Sequence, residues 1–129
     1  MSYSILTVDD SPLMRTVVAR TLRLAEVPVS ELHEASNGRE ALALLHEKWI
    51  DLVLTDLNMP EMSGVELVAR MAEDGLLATV PVVVLSSLGE ESTLAGLTAL
   101  GVRGYLRKPF TPESLMKIIR ETLEGNHAS

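Results

Sequence analysis

The chain has 129 residues, about the usual size of one domain, so we predict a single domain over residues 1–129 without a separate effector domain. Its net charge of -7 disfavours nucleic acid and anionic membrane surfaces as direct partners, and the absence of cysteine excludes disulfides and thiolate chemistry. The first residues lack a basic segment and no apolar run reaches membrane-spanning length, so we expect a cytoplasmic protein without membrane insertion.

Five short apolar runs alternate with longer segments of helical period. The predicted strands cover residues 5–8, 29–34, 52–55, 82–85 and 104–107. This alternation is typical of an α/β fold in which helices cover both faces of a parallel sheet. The second run carries Glu31, His33 and Glu34, which is too polar for a central parallel strand, so we place it at an edge. Right-handed crossovers then favour the doubly wound, flavodoxin-like order 2-1-3-4-5, whose ligand site lies at the carboxyl ends of strands one and three.

The predicted helices begin at residues that cap helices well. Ser11-Pro12 and Thr111-Pro112 each place a hydroxyl before a proline at the first helical position, and Ser63 followed by Glu66 fits a capping box. Apolar faces at helical spacing predict core stripes, and the residues are Met14, Val18, Leu22, Ala41, Leu44, Leu45, Trp49, Leu115, Ile118, Ile119 and Thr122. Gly101 and Gly125 stand where the fourth and fifth helices need left-handed terminators.

Three acidic residues directly follow predicted strands. Asp9 and Asp10 follow the first strand and Asp56 follows the third, so the predicted topology brings three carboxylates together. Such a cluster needs a cation, and oxygen ligands with open positions suit Mg²⁺, which also accepts phosphate. An aspartate at a strand end is often only a turn former or helix cap, and Asp10 has the simpler reading of a cap for the first helix.

Two further polar groups end at the same predicted edge. Lys108-Pro109 closes the fifth strand and would bring a positive charge to the rim, although a solvated surface lysine is the plainer interpretation. Ser86-Ser87 closes the fourth strand with hydroxyls that can donate to a phosphate oxygen, although they often only satisfy a turn.

These short motifs occur together and in order along nearly the whole chain. They are Val8-Asp9-Asp10-Ser11, Asp56-Leu57-Asn58-Met59-Pro60 with Gly64 following, Ser86, and Tyr105-Leu106-Arg107-Lys108-Pro109-Phe110. The combination resembles the response-regulator receiver domain. The resemblance implies that Asp56 is the nucleophile and phosphoacceptor and that Lys108 binds the phosphoryl oxygens. It also implies that Asp9, Asp10, Asp56 and the main-chain carbonyl of Asn58 hold Mg²⁺, with Mn²⁺ as a substitute.

The resemblance further implies a signalling switch rather than a conventional enzyme. Ser86 would be the switch hydroxyl and Tyr105 the switch aromatic, although a half-buried tyrosine with its hydroxyl in water is the ordinary reading of such a residue. The Lys108-Pro109 bond resembles the cis peptide of the family. A histidine kinase or phosphotransfer protein would donate the phosphoryl group, small phosphodonors would support self-phosphorylation, and autodephosphorylation would end the signal. A downstream protein would bind the face formed by the fourth predicted helix, the fifth strand and the fifth predicted helix.

Several alternatives stay open at this point. The motifs favour a chemotaxis regulator, but a phosphorelay shuttle needs no change in any of these residues. An Mg²⁺-dependent phosphatase is disfavoured because Asn58 stands where such an enzyme wants a second acid, and a phosphorylation-independent interaction module is disfavoured by the complete set of polar residues. Leu88 cannot orient an attacking water, so we expect slower self-hydrolysis than in a Leu88→Glu variant. His33, His46 and His127 are assigned no function.

Overall fold

Strands and helices alternate along residues 2–124, which the computed structural model describes. The strands are β1 (Tyr3–Val8), β2 (Val29–Ala35), β3 (Leu52–Thr55), β4 (Val82–Ser86) and β5 (Gly104–Arg107). The helices are α1 (Pro12–Leu24), α2 (Gly38–Glu47), α3 (Gly64–Glu73), α4 (Leu76–Thr79), α5 (Glu91–Leu100) and α6 (Pro112–Leu123). The short helix α4 was not predicted, so the fourth and fifth predicted helices are α5 and α6. The predicted terminator Gly125 and the tail residue His127 lie outside the described residues.

The five strands form one parallel sheet in the order β2-β1-β3-β4-β5, which confirms the predicted topology. Val8 at the end of β1 pairs with Thr55 at the end of β3. The ladder continues one residue further, because the main-chain N–H of Asp56 donates to the carbonyl of Val8 at 2.9 Å. The register therefore ends both central strands at the same level and sets Asp9 beside Asp56.

The sheet is covered on both faces, as a doubly wound fold requires. The side chains of β3 and β4, and those of β1 after Tyr3, are buried, whereas much of β2 is exposed, which agrees with its edge position in the sheet. One apolar cluster packs α2, α3 and α5 on one face of the sheet, and residues representing it are Leu6, Val53, Leu45, Met71 and Leu97. The other cluster packs α1 and α6 on the opposite face, and residues representing it are Ile5, Leu54, Val18, Leu115 and Ile119. In residues 2–124, no helix is both long enough and apolar enough to span a bilayer.

The helix caps agree with the sequence. The Ser11 hydroxyl accepts from the N–H of Met14, and both Ser63 and Thr111 head reciprocal capping boxes. Gly101 has a φ of 127°, a conformation that side chains with a Cβ rarely adopt, so its terminating role is confirmed.

Trp49 corrects one prediction. The prediction that Trp49 lies on the core stripe of α2 was wrong, because the helix ends at Glu47 and Lys48 already has extended backbone angles. Trp49 is 81% exposed, and its indole N–H donates to Asp51 Oδ1 at 2.9 Å. Helical spacing cannot be extended across a helix end, so the periodic match at position 49 carried no information about burial.

Candidate functional site

Three carboxylates meet where β1 and β3 end. One carboxylate oxygen from each of Asp9, Asp10 and Asp56 lies within 4.8 Å of the other two. Their environments differ, because Asp9 is buried, Asp56 is half-buried and Asp10 is exposed. The first helix is capped by Ser11, so the cap assignment considered for Asp10 is not needed. The sheet register therefore brings together the acids that the sequence singled out.

Asp9 carries the least compensated charge of the three. Its Oδ1 accepts from the N–H of Ser11 at 2.9 Å, while its Oδ2 is buried and has no hydrogen-bond partner among residues 2–124. Burial raises the pKa of Asp9, and the charges of Asp56 and Asp10 raise it further, while the Ser11 N–H and Lys108 oppose the shift. An orphaned carboxylate oxygen in an all-oxygen cluster fits a hard divalent cation such as Mg²⁺.

The carboxylate of Asp56 is held by two hydrogen-bond donors. Its Oδ1 accepts from the N–H of Leu57 at 2.8 Å and from Lys108 Nζ at 3.1 Å. The exposed fraction is 15% for the Asp56 side chain and 21% for that of Lys108, so solvent can still reach the pair. The backbone of Lys108 is held at the end of β4, because its N–H donates to the Ser86 carbonyl at 2.8 Å. The bond between Lys108 and Pro109 is cis. The cis isomer suggested by the resemblance is thus observed.

The start of α3 packs directly on the backbone of Asp56. The N–H of Gly64 donates to the carbonyl of Leu57 at 2.8 Å. A Cβ atom at position 64 would lie only 2.2 Å from the main-chain oxygen of Asp56, so the contact requires glycine. The loop between β3 and α3 is also tied to α2, since the N–H of Gly38 donates to the carbonyl of Met62 at 2.8 Å. These contacts fix the main chain on the carboxyl side of Asp56.

Ser86 and Tyr105 lie outside the acid cluster. Ser86 is buried at the end of β4, on the same edge of the sheet as Asp56. Tyr105 is half-buried on β5, and its hydroxyl donates to the main-chain carbonyl of Leu94 at 2.8 Å. The same hydroxyl pairs with that of Thr98. Tyr105 is therefore half-buried packing, as the ordinary reading expects, but its hydroxyl is hydrogen-bonded to α5.

Two residues near the site were missed by reasoning from the sequence. Arg15 on α1 donates from Nη1 to the main-chain carbonyl of Asp9 at 2.6 Å and from Nε to Glu34 Oε1 at 2.8 Å. Glu90 accepts from the side chain of Asn58 at 3.0 Å. The position of Arg15 one turn after the Ser11 cap was the available signal for the first contact. Nothing local indicated the second, which joins loops 32 residues apart.

The two histidines among residues 2–124, His33 and His46, do not contribute to the acid cluster. His33 lies 3.1 Å from Glu31 on the edge strand, and His46 lies 3.4 Å from Asp74 on the surface. The side-chain group with the geometry for a metal site among the described residues consists of the three aspartates. Both histidines thus pair with carboxylates outside the acid cluster.

Comparisons with a family model, with related sequences and with solved structures all identify the same family. The family model described as the response regulator receiver domain matches residues 5–120. The nitrate/nitrite response regulator protein NarL of Escherichia coli strain K12 is 34% identical over 122 residues, which make up 95% of this chain and 55% of that protein. The chemotaxis protein CheY of Pseudomonas aeruginosa is 33% identical over 120 residues, which make up 93% of this chain and 95% of that protein.

Comparison of the fold with solved structures also finds a chemotaxis response regulator. The solved structure of the chemotaxis response regulator CheY4 of Vibrio cholerae superposes with a TM-score of 0.78 at 34% identity, covering 94% of this chain and 98% of that chain. The chain therefore spans about half the length of NarL but nearly all of the CheY proteins. Since the family model covers most of the chain and the sheet order, acid cluster and lysine agree with it, the chain belongs to the response regulator receiver domain family.

Proposed function

We propose that the chain is a phosphorylation switch that takes a phosphoryl group onto Asp56 from a histidine kinase or phosphotransfer protein and signals through altered protein binding. The observation that carries the proposal is the convergence of three carboxylates with Lys108, whose Nζ lies 3.1 Å from Asp56 Oδ1. Phosphoryl transfer asks a protein mainly for positioning and for positive charge near the transferring oxygens. This edge of the sheet offers an oriented carboxylate, a lysine and a cation-binding set of oxygens.

The carboxylate of Asp56 is the nucleophile in this proposal. An oxygen of Asp56 forms a bond to phosphorus while the bond from phosphorus to the donor's histidine nitrogen breaks. The N–H of Leu57 holds the carboxylate in one orientation, and Lys108 exchanges its contact with that carboxylate for contact with the phosphoryl oxygens. Asp9, Asp10, Asp56 and the main-chain carbonyl of Asn58 would hold Mg²⁺, whose role when bound is to neutralise charge on the transferring group.

Transmission of the signal is assigned to Ser86 and Tyr105. Phosphorylation would draw the Ser86 hydroxyl toward the new anion and bias Tyr105 between two positions. The Tyr105 hydroxyl already joins β5 to α5 through the Leu94 carbonyl, which supports coupling to that helix. The proposed downstream partner therefore binds the face formed by α5, β5 and α6. We expect a coupling free energy of about 1–3 kcal/mol between phosphorylation and partner binding.

We further propose that this switch serves chemotaxis in the cytoplasm. The support is that CheY of Pseudomonas aeruginosa and CheY4 of Vibrio cholerae, both named as chemotaxis proteins, match this chain over nearly their whole length. NarL, named as a nitrate/nitrite response regulator, is matched over only 55% of its length. A phosphorelay role uses the same site residues, and capture of partners with phosphorylated and unphosphorylated protein separates the two roles.

The proposed chemistry is tested by intact-mass measurement after incubation with acetyl phosphate, with and without Mg²⁺. We expect one phosphoryl adduct on the wild type that requires Mg²⁺, and no adduct on Asp56→Asn. Asp74→Asn is the matched control, because Asp74 is an exposed aspartate at the end of α3, outside the acid cluster, and this variant should accept the phosphoryl group normally. An adduct that persists in Asp56→Asn, or its absence from the wild type, would contradict the proposal.

A further inference from the structure

Glu90 joins the two loops that flank the proposed phosphoacceptor. Its Oε1 accepts from the main-chain N–H of Ser87 at 2.6 Å, and its Oε2 accepts from Asn58 Nδ2 at 3.0 Å. Glu90 is half-buried although the three residues before it, 87–89, are exposed. The first contact holds the side chain against its own loop after β4, and the second reaches across to the loop after β3. The carboxylate is thus fixed at both oxygens.

The partner of this carboxylate stands close to Asp56. Asn58 lies two residues after Asp56 and its side chain is exposed to solvent. Loss of a phosphoryl group from Asp56 by hydrolysis requires a water on the side of phosphorus opposite the Asp56 oxygen. With one N–H directed to Glu90, the Asn58 amide keeps its carbonyl oxygen and its second N–H for such a water.

We infer that Glu90 is a positioning residue for hydrolysis of the phosphorylated Asp56, acting through Asn58; this inference rests on the proposed function. In the step, the water oxygen bonds to phosphorus and the bond between phosphorus and the Asp56 oxygen breaks. The Asp56 carboxylate is regenerated, and both protons of the water leave with the product as dihydrogen phosphate. Glu90 orients the Asn58 amide, which in turn orients the water.

The contact also bears on the slow hydrolysis expected from Leu88. Leu88 is 80% exposed and has no polar group with which to hold a water. Glu90, two residues further along, carries a carboxylate that is hydrogen-bonded to the Asn58 amide. The opposite role for such a contact is to shield the phosphoryl group from water and slow its hydrolysis. The exposure of Asn58 argues against this role, because the hydrogen bond to Glu90 leaves the amide open to solvent.

The inference is tested by the lifetime of the phosphoryl group on Asp56, followed by intact mass after removal of acetyl phosphate. Glu90→Ala should lengthen the lifetime about tenfold, because the Asn58 amide loses the hydrogen bond to a charged group that holds it in position. Asn58→Ala should lengthen it to a similar extent, and the double variant should be no slower than the slower single variant. Glu90→Gln keeps one acceptor oxygen for two donors, the Ser87 N–H and the Asn58 amide, so its lifetime should lie between those of Glu90→Ala and the wild type.

Two controls separate positioning from general loosening of the loops. Glu91→Ala removes the same charge from the neighbouring residue, whose carboxylate contacts Arg107 at 3.3 Å, and should leave the lifetime unchanged. The Mg²⁺ affinity of Glu90→Ala, measured by calorimetry, should match that of the wild type. A lifetime in Glu90→Ala that is unchanged or shortened, additive effects in the double variant, or an equal effect of Glu91→Ala would overturn the inference. Absence of any adduct on the wild type would overturn the proposed function and this inference together.

Discussion

The three aspartates of the acid cluster carry the same carboxyl group but differ in their exposure to water and in their partners. Asp10 is exposed to water, Asp56 is balanced by Lys108, and Asp9 is 2% exposed with one oxygen unpartnered among residues 2–124. A carboxyl group whose pKa is raised by burial binds a proton more tightly in the fold than in the unfolded chain. Its ionisation at neutral pH therefore opposes folding. A bound cation would reverse this effect, because it pairs with the charge that burial penalises.

This argument predicts how Asp9 links Mg²⁺ to stability. Without divalent cations at neutral pH, Asp9→Asn should be more stable than the wild type, because the buried charge is removed. With Mg²⁺ at about one hundred times its dissociation constant, the wild type should gain about 2.7 kcal/mol of unfolding free energy and the variant much less. Thermal unfolding with and without Mg²⁺ measures both effects. Glu73→Gln, which neutralises an exposed acid on α3, should respond to Mg²⁺ like the wild type, and an equal response from Asp9→Asn would refute the prediction.

At the scale of elements, the site depends on how α3 meets the end of β3. The capping box of Ser63 and Glu66 starts the helix, and Gly64 then lets the first turn touch the Asp56 carbonyl. Both features lie within residues 56–66 of the sequence. The cap is a local signal that the sequence reveals, whereas the closeness of the contact at Gly64 is visible only in the packed structure.

Gly64→Ala tests this contact. The added Cβ would lie 2.2 Å from the Asp56 oxygen, so either the helix or the acceptor must move. We expect a loss of about 1–3 kcal/mol of unfolding free energy and slower phosphorylation by acetyl phosphate, measured by denaturant unfolding and intact mass. Gly96→Ala is the matched control, because a Cβ atom at position 96 would have no other atom within 4 Å apart from its own helix backbone and chain neighbours. Gly96→Ala should be neutral or stabilising by up to about 1 kcal/mol, since alanine favours a helix.

Over the whole molecule, the helices are anchored unequally. Residues buried on α3 are Gly64, Leu67, Val68 and Met71, whereas α5 buries only Leu97 among its ten residues. Besides Leu97, the Tyr105 hydroxyl ties α5 to β5 by donating to the Leu94 carbonyl, and Glu91 on α5 pairs with Arg107 on β5 at 3.3 Å. A helix with few buried contacts opens at low free energy cost, so α5 is the longer helix best suited to change position in the proposed switch.

Tyr105→Phe should therefore loosen α5 selectively. Removing the hydroxyl deletes the hydrogen bond to α5 and should lower the free energy of local opening there by about 1 kcal/mol. Amide hydrogen exchange of the unphosphorylated protein should become faster in α5 and stay unchanged in α3. Tyr3→Phe is the control, because the Tyr3 hydroxyl donates at 3.4 Å to Glu124 on the surface. Equal exchange in α5 of Tyr105→Phe and the wild type would rule out this anchoring role.

Much of the fold and part of the site follow from the sequence alone. Strand and helix periods and the caps at Ser11, Ser63 and Thr111 are local, so they predicted the alternating elements. The polarity of the second strand placed it at an edge, and that position led to the strand order. Because parallel strands end at one edge, the order then predicted the meeting of Asp9, Asp10 and Asp56, with Lys108 at the same rim.

Only the tertiary structure decided the features that depend on distant contacts. It exposed Trp49, added α4, left Asp9 Oδ2 without a described partner and turned the Tyr105 hydroxyl toward α5. It also joined Asn58 to Glu90 across 32 residues of chain. The physical reason is that periodicity and capping are determined by neighbours within a few residues, whereas burial and side-chain pairing depend on which elements pack together.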